Sequence, residues 1–403
     1  MSIPIIQSIG DVFLVDWQNE NIRMKIDRIS ERSEGVSAEV LITQSGGHLY
    51  HARLNLLSPH AKKVMANELL KRVNNLDWQT MVEQAFTKTL VEYRRGEPVV
   101  KVGNLPRRQT PRYRLKPLIL ENQINALYGH GGSAKSLLTH LIAVIVQSGI
   151  WVLGFSGIQG NVLILDWEAS QETCDERVKA IKNGLDIANS EMPFYKRCYH
   201  LLTHDITEIQ REIIEKKIQL VIVDSAGMAT GFDGDYHSVA IEMLRALRAL
   251  KISVLLIDHK PKAGNTMFGS VYKFNECRSA FEIKATQEAG SNCMDIGIFH
   301  TKYNDTIKQK PLGFHIEFEG SEDYTEKITF TQEDVADIPE LEARLSRRQR
   351  IINILKQGAM PTGEIAEILQ DNEHAVRTEL NRNKKLFVKT EGGWGLLLTD
   401  EYS

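Results

Sequence analysis

Residues 129–136 read Gly-His-Gly-Gly-Ser-Ala-Lys-Ser and stand between an apolar strand-like run, Ile124 to Tyr128, and a helix-like run that opens at Leu137-Leu138. Small residues in a strand-to-helix turn let successive backbone N–H groups curl around an anion, and the following helix turns its positive end toward it. A lysine near the end of such a loop reaches the outer phosphates, and the hydroxyl after it is placed to hold Mg²⁺. The octamer therefore predicts a phosphate-binding loop made by Gly129, His130, Gly131, Gly132, Ser133, Ala134, Lys135 and Ser136. Such a loop requires a strand–loop–helix unit and so directs the chain to an α/β fold. One position departs from the pattern: Ala134 stands where a second glycine is expected. Its methyl group is expected to fit provided φ there stays negative.

The chain around the loop supports an alternating fold. Candidate strands at 124–128, 160–165, 220–223, 252–257 and 295–300 are separated by helical patterns at 134–147, 171–183, 206–217 and 238–250. This predicts a mostly parallel sheet over residues 118–320, with ligands held outside the carboxyl ends of the strands. Three strand ends carry polar groups. Val162 to Leu165 runs into Asp166-Trp167-Glu168, and Glu168 is a candidate for positioning and polarising an attacking water. Leu220 to Val223 ends in Asp224-Ser225, the form of a Walker B strand; Asp224 and Ser136 are the expected Mg²⁺ ligands, both hard oxygens. Ile252 to Ile257 ends in Asp258-His259, and His259 is placed to sense a γ-phosphate.

The net charge of −3 gives no global attraction to nucleic acid, so any such contact must come from a local patch. Cys174, Cys198, Cys277 and Cys293 form no Cys-x-x-Cys pair and read as free thiols of a reducing compartment. With no signal-like segment and no apolar run of spanning length, a cytoplasmic protein without membrane contact is expected.

Residues 1–96 read as an α+β domain, with strands at 12–15, 23–29, 37–43 and 48–54 before helices at 59–73 and 78–94; no motif in it carries a chemical reading. Residues 97–117 read as a basic linker rich in Pro and Arg, and 321–340 as an acidic linker. In residues 341–403 a helix to Lys356, a second one N-capped by Thr362, a third from Glu373 to Leu386 and a hairpin around Glu391-Gly392-Gly393 predict a winged helix. Arg377, Arg382, Lys384 and Lys385 are its candidate DNA contacts, balanced by Glu373 and Glu379, so duplex DNA and a protein partner both remain open as its target.

Taken together, Asp166-Trp167-Glu168 with Arg177, Val223-Asp224-Ser225, and Asp258-His259-Lys260-Pro261-Lys262 followed by Phe268-Gly269-Ser270 resemble the RecA-like ATPases of the hexameric replicative helicase group, notably the plasmid RepA and DnaB types. Asn275-x-x-Arg278-Ser279 is similar to that group's arginine-finger segment, and His300-Thr301-Lys302-Tyr303-Asn304 to the element that reaches a neighbour's nucleotide. The resemblance implies an ATP- and Mg²⁺-dependent helicase of a plasmid, phage or other mobile element. It implies a homo-oligomeric ring, a hexamer, in which Arg278 and Lys302 act across the subunit interface. It also implies single-stranded DNA in the channel, facing loops 229–237 and 262–273, with Lys262 and Lys273 on phosphates. Two other readings stand beside it: a recombination or repair ATPase that forms filaments, and an ATP-switched winged-helix regulator that binds duplex DNA without unwinding it.

Overall fold

The computed structural model describes residues 3–96, 99–103, 112–231, 236–261, 271–304, 307–321, 324–342 and 345–397. The chain begins with five antiparallel strands in sequential order, β1 (Ile5–Ile9), β2 (Val12–Trp17), β3 (Ile22–Arg32), β4 (Gly35–Gln44) and β5 (Gly47–Asn55). Alternation drives them: Met24, Ile26, Val36, Ala38, Val40 and Ile42 are buried, while their neighbours in sequence are mostly part-exposed. Helices α1 (Pro59–Arg72) and α2 (Trp78–Arg95) follow, the first capped by Ser58 and the second by Asp77. Their apolar faces close a core with Trp17, Trp78 and Phe86. This unit rests on the central domain through a buried contact in which Arg211 Nε donates to Asp27 Oδ2 at 2.6 Å.

The central domain contains β6 (Tyr113–Lys116), β7 (Ile119–Leu120), β8 (Ile124–Gly129), α3 (Lys135–Ser148), β9 (Ser156–Gly157), β10 (Asn161–Asp166) and α4 (Gln171–Gly184). It continues through β11 (Phe194–Arg197), α5 (Leu202–Glu215), β12 (Ile218–Asp224), α6 (Ala226–Thr230), α7 (Tyr236–Ala249), β13 (Ser253–His259) and α8 (Val271–Glu276). It ends with β14 (Ser279–Thr286), β15 (Cys293–Tyr303), β16 (Leu312–Gly320), β17 (Thr325–Glu333) and the short α9 (Pro339–Glu342). Nine of these strands form one sheet in the order β11-β10-β12-β13-β8-β14-β15-β16-β17. The part from β11 to β14 is parallel and the rest antiparallel. The parallel strands are apolar on both faces because separate clusters, with α3 and α4 on one side and α5 and α7 on the other, cover them.

The acidic stretch expected as a linker is instead β17, the edge of this sheet. Ile328 and Phe330 enter the core while Glu326 and Glu333 at the two ends of the strand stay at the surface, and α4 approaches so closely that a Cβ on Gly184 would lie 1.9 Å from the Ile328 carbonyl oxygen. An edge strand carrying charge on its open face resists pairing with other chains, which is why its composition imitates a linker.

The tail has its own core, formed by α10 (Arg347–Lys356), α11 (Thr362–Leu369), α12 (Glu373–Arg382) and the hairpin β18 (Phe387–Thr390) with β19 (Gly393–Leu396). The expected cap shifts by one residue: Pro361 is the N-cap of α11 and Thr362 its first helical residue, while Asn372 caps α12 with its side chain. No helix among the described residues is long and apolar enough to cross a membrane.

Candidate nucleotide-binding site

The register of the parallel strands brings the polar strand ends into one row. Asp166 pairs opposite Asp224, and His259 opposite Gly129. The loop after β8 begins where Lys260 N–H bonds the Gly129 carbonyl at 2.9 Å, and Gly129 is required by contact: a Cβ there would lie 2.5 Å from the Ile283 oxygen and 2.6 Å from Ser133 Oγ. Lys135 is almost fully buried, and its ammonium bonds the carbonyls of Gly129 at 3.1 Å and His130 at 2.6 Å. Burial lowers its pKa, while Asp224, Glu168 and Asp258 oppose that shift.

Ala134 does not keep the negative φ expected of it. It lies in the left-handed region at φ 60°, ψ 21°, as the cap residue of α3. An L-residue there costs roughly 1–2 kcal/mol, and returning glycine costs about 0.4–1 kcal/mol through the unfolded chain. Ala134→Gly should therefore stabilise the protein slightly, by up to about 1 kcal/mol on this difference, and keep its ATPase activity. Thermal unfolding checks this; a clear fall in melting temperature would contradict the assigned backbone.

Asp224 accepts a hydrogen bond from the Ser136 side chain, and burial pushes its pKa up to about 6, with Glu168 and Asp166 adding to the shift. The oxygen donors of Ser136 and Asp224, beside two further carboxylates, fit a hard divalent cation, and these two residues would hold Mg²⁺. The sign of the pH dependence follows. In the free protein the raised pKa means that this group costs stability as pH climbs from about 4 to 6. Cation binding favours the ionised form, so Mg²⁺–nucleotide binding should tighten up to tenfold per unit below about pH 6 and level off above it. Titration calorimetry across pH 5–8 checks this, and Asp224→Asn should remove the part of the slope not due to the nucleotide.

Glu168 is oriented by two contacts, the Ser225 hydroxyl on its Oε1 and His259 Nε2 at 3.5 Å from the same atom. The turn carrying it is held by Asp166 Oδ1, which accepts from the N–H groups of Glu168 at 2.7 Å and Ala169 at 2.8 Å. Lys135, Ser136, Glu168, Asp224 and His259 thus share one cavity of 610 Å³. Its far wall consists of side chains that the motifs do not mark: Leu137, Met294, Phe318 and Ile328, with Arg177 of α4 nearby. For Met294, Phe318 and Ile328 the signal was the period-2 alternation of β15 to β17, readable only once those strands are placed beside the phosphate loop.

Other expected residues lie elsewhere. Arg278 is exposed at the opposite, amino end of the parallel strands, where its N–H bonds the Ile124 carbonyl at 2.8 Å. Five residue steps along β8 lead from Ile124 to Gly129, roughly 16 Å of strand, and Arg278 does not line this cavity. Lys302 is engaged within the chain: its ammonium donates to the carbonyls of Phe274 at 2.7 Å, Asn275 at 2.6 Å and Cys277 at 2.8 Å. All three donors are thereby used, which removes it as a phosphate contact in this arrangement. Lys273 is likewise no surface DNA contact; it is fully buried and pairs with Asp258 at 2.7 Å. Lys262 and most of the two expected channel loops lie outside the described residues. In the tail, Arg377 pairs with Glu373, whereas Arg382, Lys384 and Lys385 are exposed and form no ion pair among the described residues.

Residues 92–265 match the family model described as an AAA domain. Comparison with curated proteins finds no match. Among solved structures, a KaiC-like protein from the hyperthermophilic archaeon Pyrococcus horikoshii is similar with a TM-score of 0.40 and 10% identity, covering 56% of this chain and 99% of its own. The AAA match falls on a sheet in which β13 separates the phosphate-loop strand from the Walker B strand, with Lys135, Ser136, Glu168 and Asp224 in one cavity. Over residues 92–265 the central domain is thus similar to an AAA domain, and its strand order and cavity are those of a phosphate-binding-loop nucleotide site.

Proposed function

We propose that this chain is an ATP- and Mg²⁺-dependent nucleic-acid motor, a ring-forming replicative DNA helicase of a plasmid, phage or other mobile element. The observation that carries the proposal is the separation of the two halves of the chemistry. The phosphate loop, Glu168 and Asp224 stand at the carboxyl ends of the parallel strands, and the exposed Arg278 at the amino end of β8. Head-to-tail contact between identical subunits would bring one end of the strands against the other, and such contacts form rings where the rotation closes and filaments where it does not. In each interface Lys135 and Mg²⁺ would hold the phosphates, Glu168 would position the water, and the neighbour's Arg278 would stabilise the charge that develops in the transition state. Hydrolysis is then tied to the relative placement of subunits, which translocation along a strand requires.

The tail supports a second reading. Three helices followed by a hairpin are compatible with a winged helix, and exposed Arg382, Lys384 and Lys385 suit duplex phosphates. An ATP-switched regulator would use this face alone. A strand-displacement assay on forked DNA, with Lys135→Ala as control, separates the two. The motor predicts ATP-dependent displacement, lost in the variant. Duplex binding without displacement, and hydrolysis indifferent to single-stranded DNA, would instead favour the regulator.

A further inference from the structure

On the way from the carboxyl end of β13 to the amino end of β14 lies α8, and both of its ends are fastened by lysines. Near its start, the fully buried Lys273 pairs with Asp258 at 2.7 Å, and Asp258 Oδ1 also accepts the backbone N–H of His259 at 2.8 Å. One carboxylate therefore grips both the helix and the strand end that faces the nucleotide cavity. At the other end, Lys302 binds three carbonyls of the last turn and its exit, groups that a helix terminus leaves without partners. The same ammonium lies 5.3 Å from the centre of the Phe274 ring, which meets Tyr128 edge-on at 6.2 Å. Tyr128 directly precedes Gly129 of the phosphate loop. Cys277 closes the turn by donating from Sγ to the Lys273 carbonyl at 3.1 Å. Arg278 comes next, its backbone held to Ile124 on one side and to Asn304 N–H, at 3.3 Å, on the other.

We propose that Lys302 and the Asp258–Lys273 pair are positioning residues for Arg278, making α8 a strut that carries the state of the nucleotide at His259 to the arginine offered to the neighbouring subunit. This rests on Arg278 acting across the interface. Lys302, expected to touch a neighbour's phosphate, works on this account through the residue beside it. Cutting a buried ion pair on one side strands an uncompensated charge, so Lys273 and Asp258 variants risk unfolding. Lys302 is part-exposed, and the carbonyls it leaves can take water.

The test is steady-state ATPase of full-length Lys302→Ala, Lys302→Arg and Arg278→Ala proteins, each also mixed with Lys135→Ala. A displaced arginine should lower kcat of Lys302→Ala by about tenfold to a hundredfold with KM for ATP nearly unchanged. Lys302→Arg should recover most of the loss, because a guanidinium can cap the same carbonyls. Mixing Lys302→Ala with Lys135→Ala should restore activity, since the second protein supplies an undisturbed Arg278. The proposal is overturned if Lys302→Ala keeps wild-type kcat while Arg278→Ala is inactive. It is equally overturned if mixing rescues Arg278→Ala but not Lys302→Ala, which would place Lys302 at its own subunit's site. Wild-type activity in Arg278→Ala would instead remove the trans arrangement itself, and the strut with it.

Discussion

Arg278→Ala is expected to lower kcat by roughly 10³-fold or more while leaving nucleotide affinity within a few-fold of wild type. Binding of the ground state depends on Lys135, Ser136 and Asp224, all in the cavity that Arg278 does not reach. An arginine brought from a neighbour acts mainly on the charge that appears as the γ-phosphoryl group leaves, so its loss appears in kcat and not in binding. Lysine should not replace it, because a point charge lacks the planar fork that spans two phosphate oxygens. Rapid-quench ATPase with fluorescent-nucleotide binding on the same samples makes the comparison. Equal losses in kcat and affinity would mean that Arg278 holds the fold or the assembly and not the transition state.

Glu168→Gln should cost about 10²–10⁴ in kcat, the range for removing a positioned acid–base group. Nucleotide binding should stay or tighten, since one negative charge beside the phosphates is gone. The amide keeps the shape and can still accept the Ser225 hydroxyl, so the turn around Asp166 should hold. The 3.5 Å approach of His259 Nε2 to Glu168 also predicts that His259→Ala loosens the water-positioning group and lowers kcat by less than Glu168→Gln does. A Glu168→Gln protein with near wild-type turnover would transfer the water-positioning role to another group.

The site was legible where its chemistry is local. The phosphate loop, the Asp224 strand and the Asp166-Trp167-Glu168 turn are each continuous segments whose residue types state their role, and the parallel register then aligns them. What depended on distant contacts was not legible. Lys273 and Lys302 look like surface lysines until Asp258 and the end of α8 come within 3 Å of them. The strand β17 was hidden because its outward positions are polar and only Ile328 and Phe330 face the core. The apolar wall of the cavity was missed for a related reason: Met294 and Phe318 alternate with polar residues on strands that pair with their sequence neighbours, far along the chain from the phosphate loop they face. At Ala134 the missing glycine was itself the clue, since a glycine-favouring position is often left-handed, and that is the conformation found.

The central claim is that the hydrolytic site is completed by a second copy of the chain. Its most direct test is ATPase activity in mixtures of Lys135→Ala and Arg278→Ala proteins, each inactive alone. In an equal, random mixture about one interface in four pairs an intact phosphate loop with an intact arginine. Activity should therefore appear on mixing and peak near equal proportions. Mixtures that exchange subunits yet stay inactive at every ratio would contradict a site shared between neighbours.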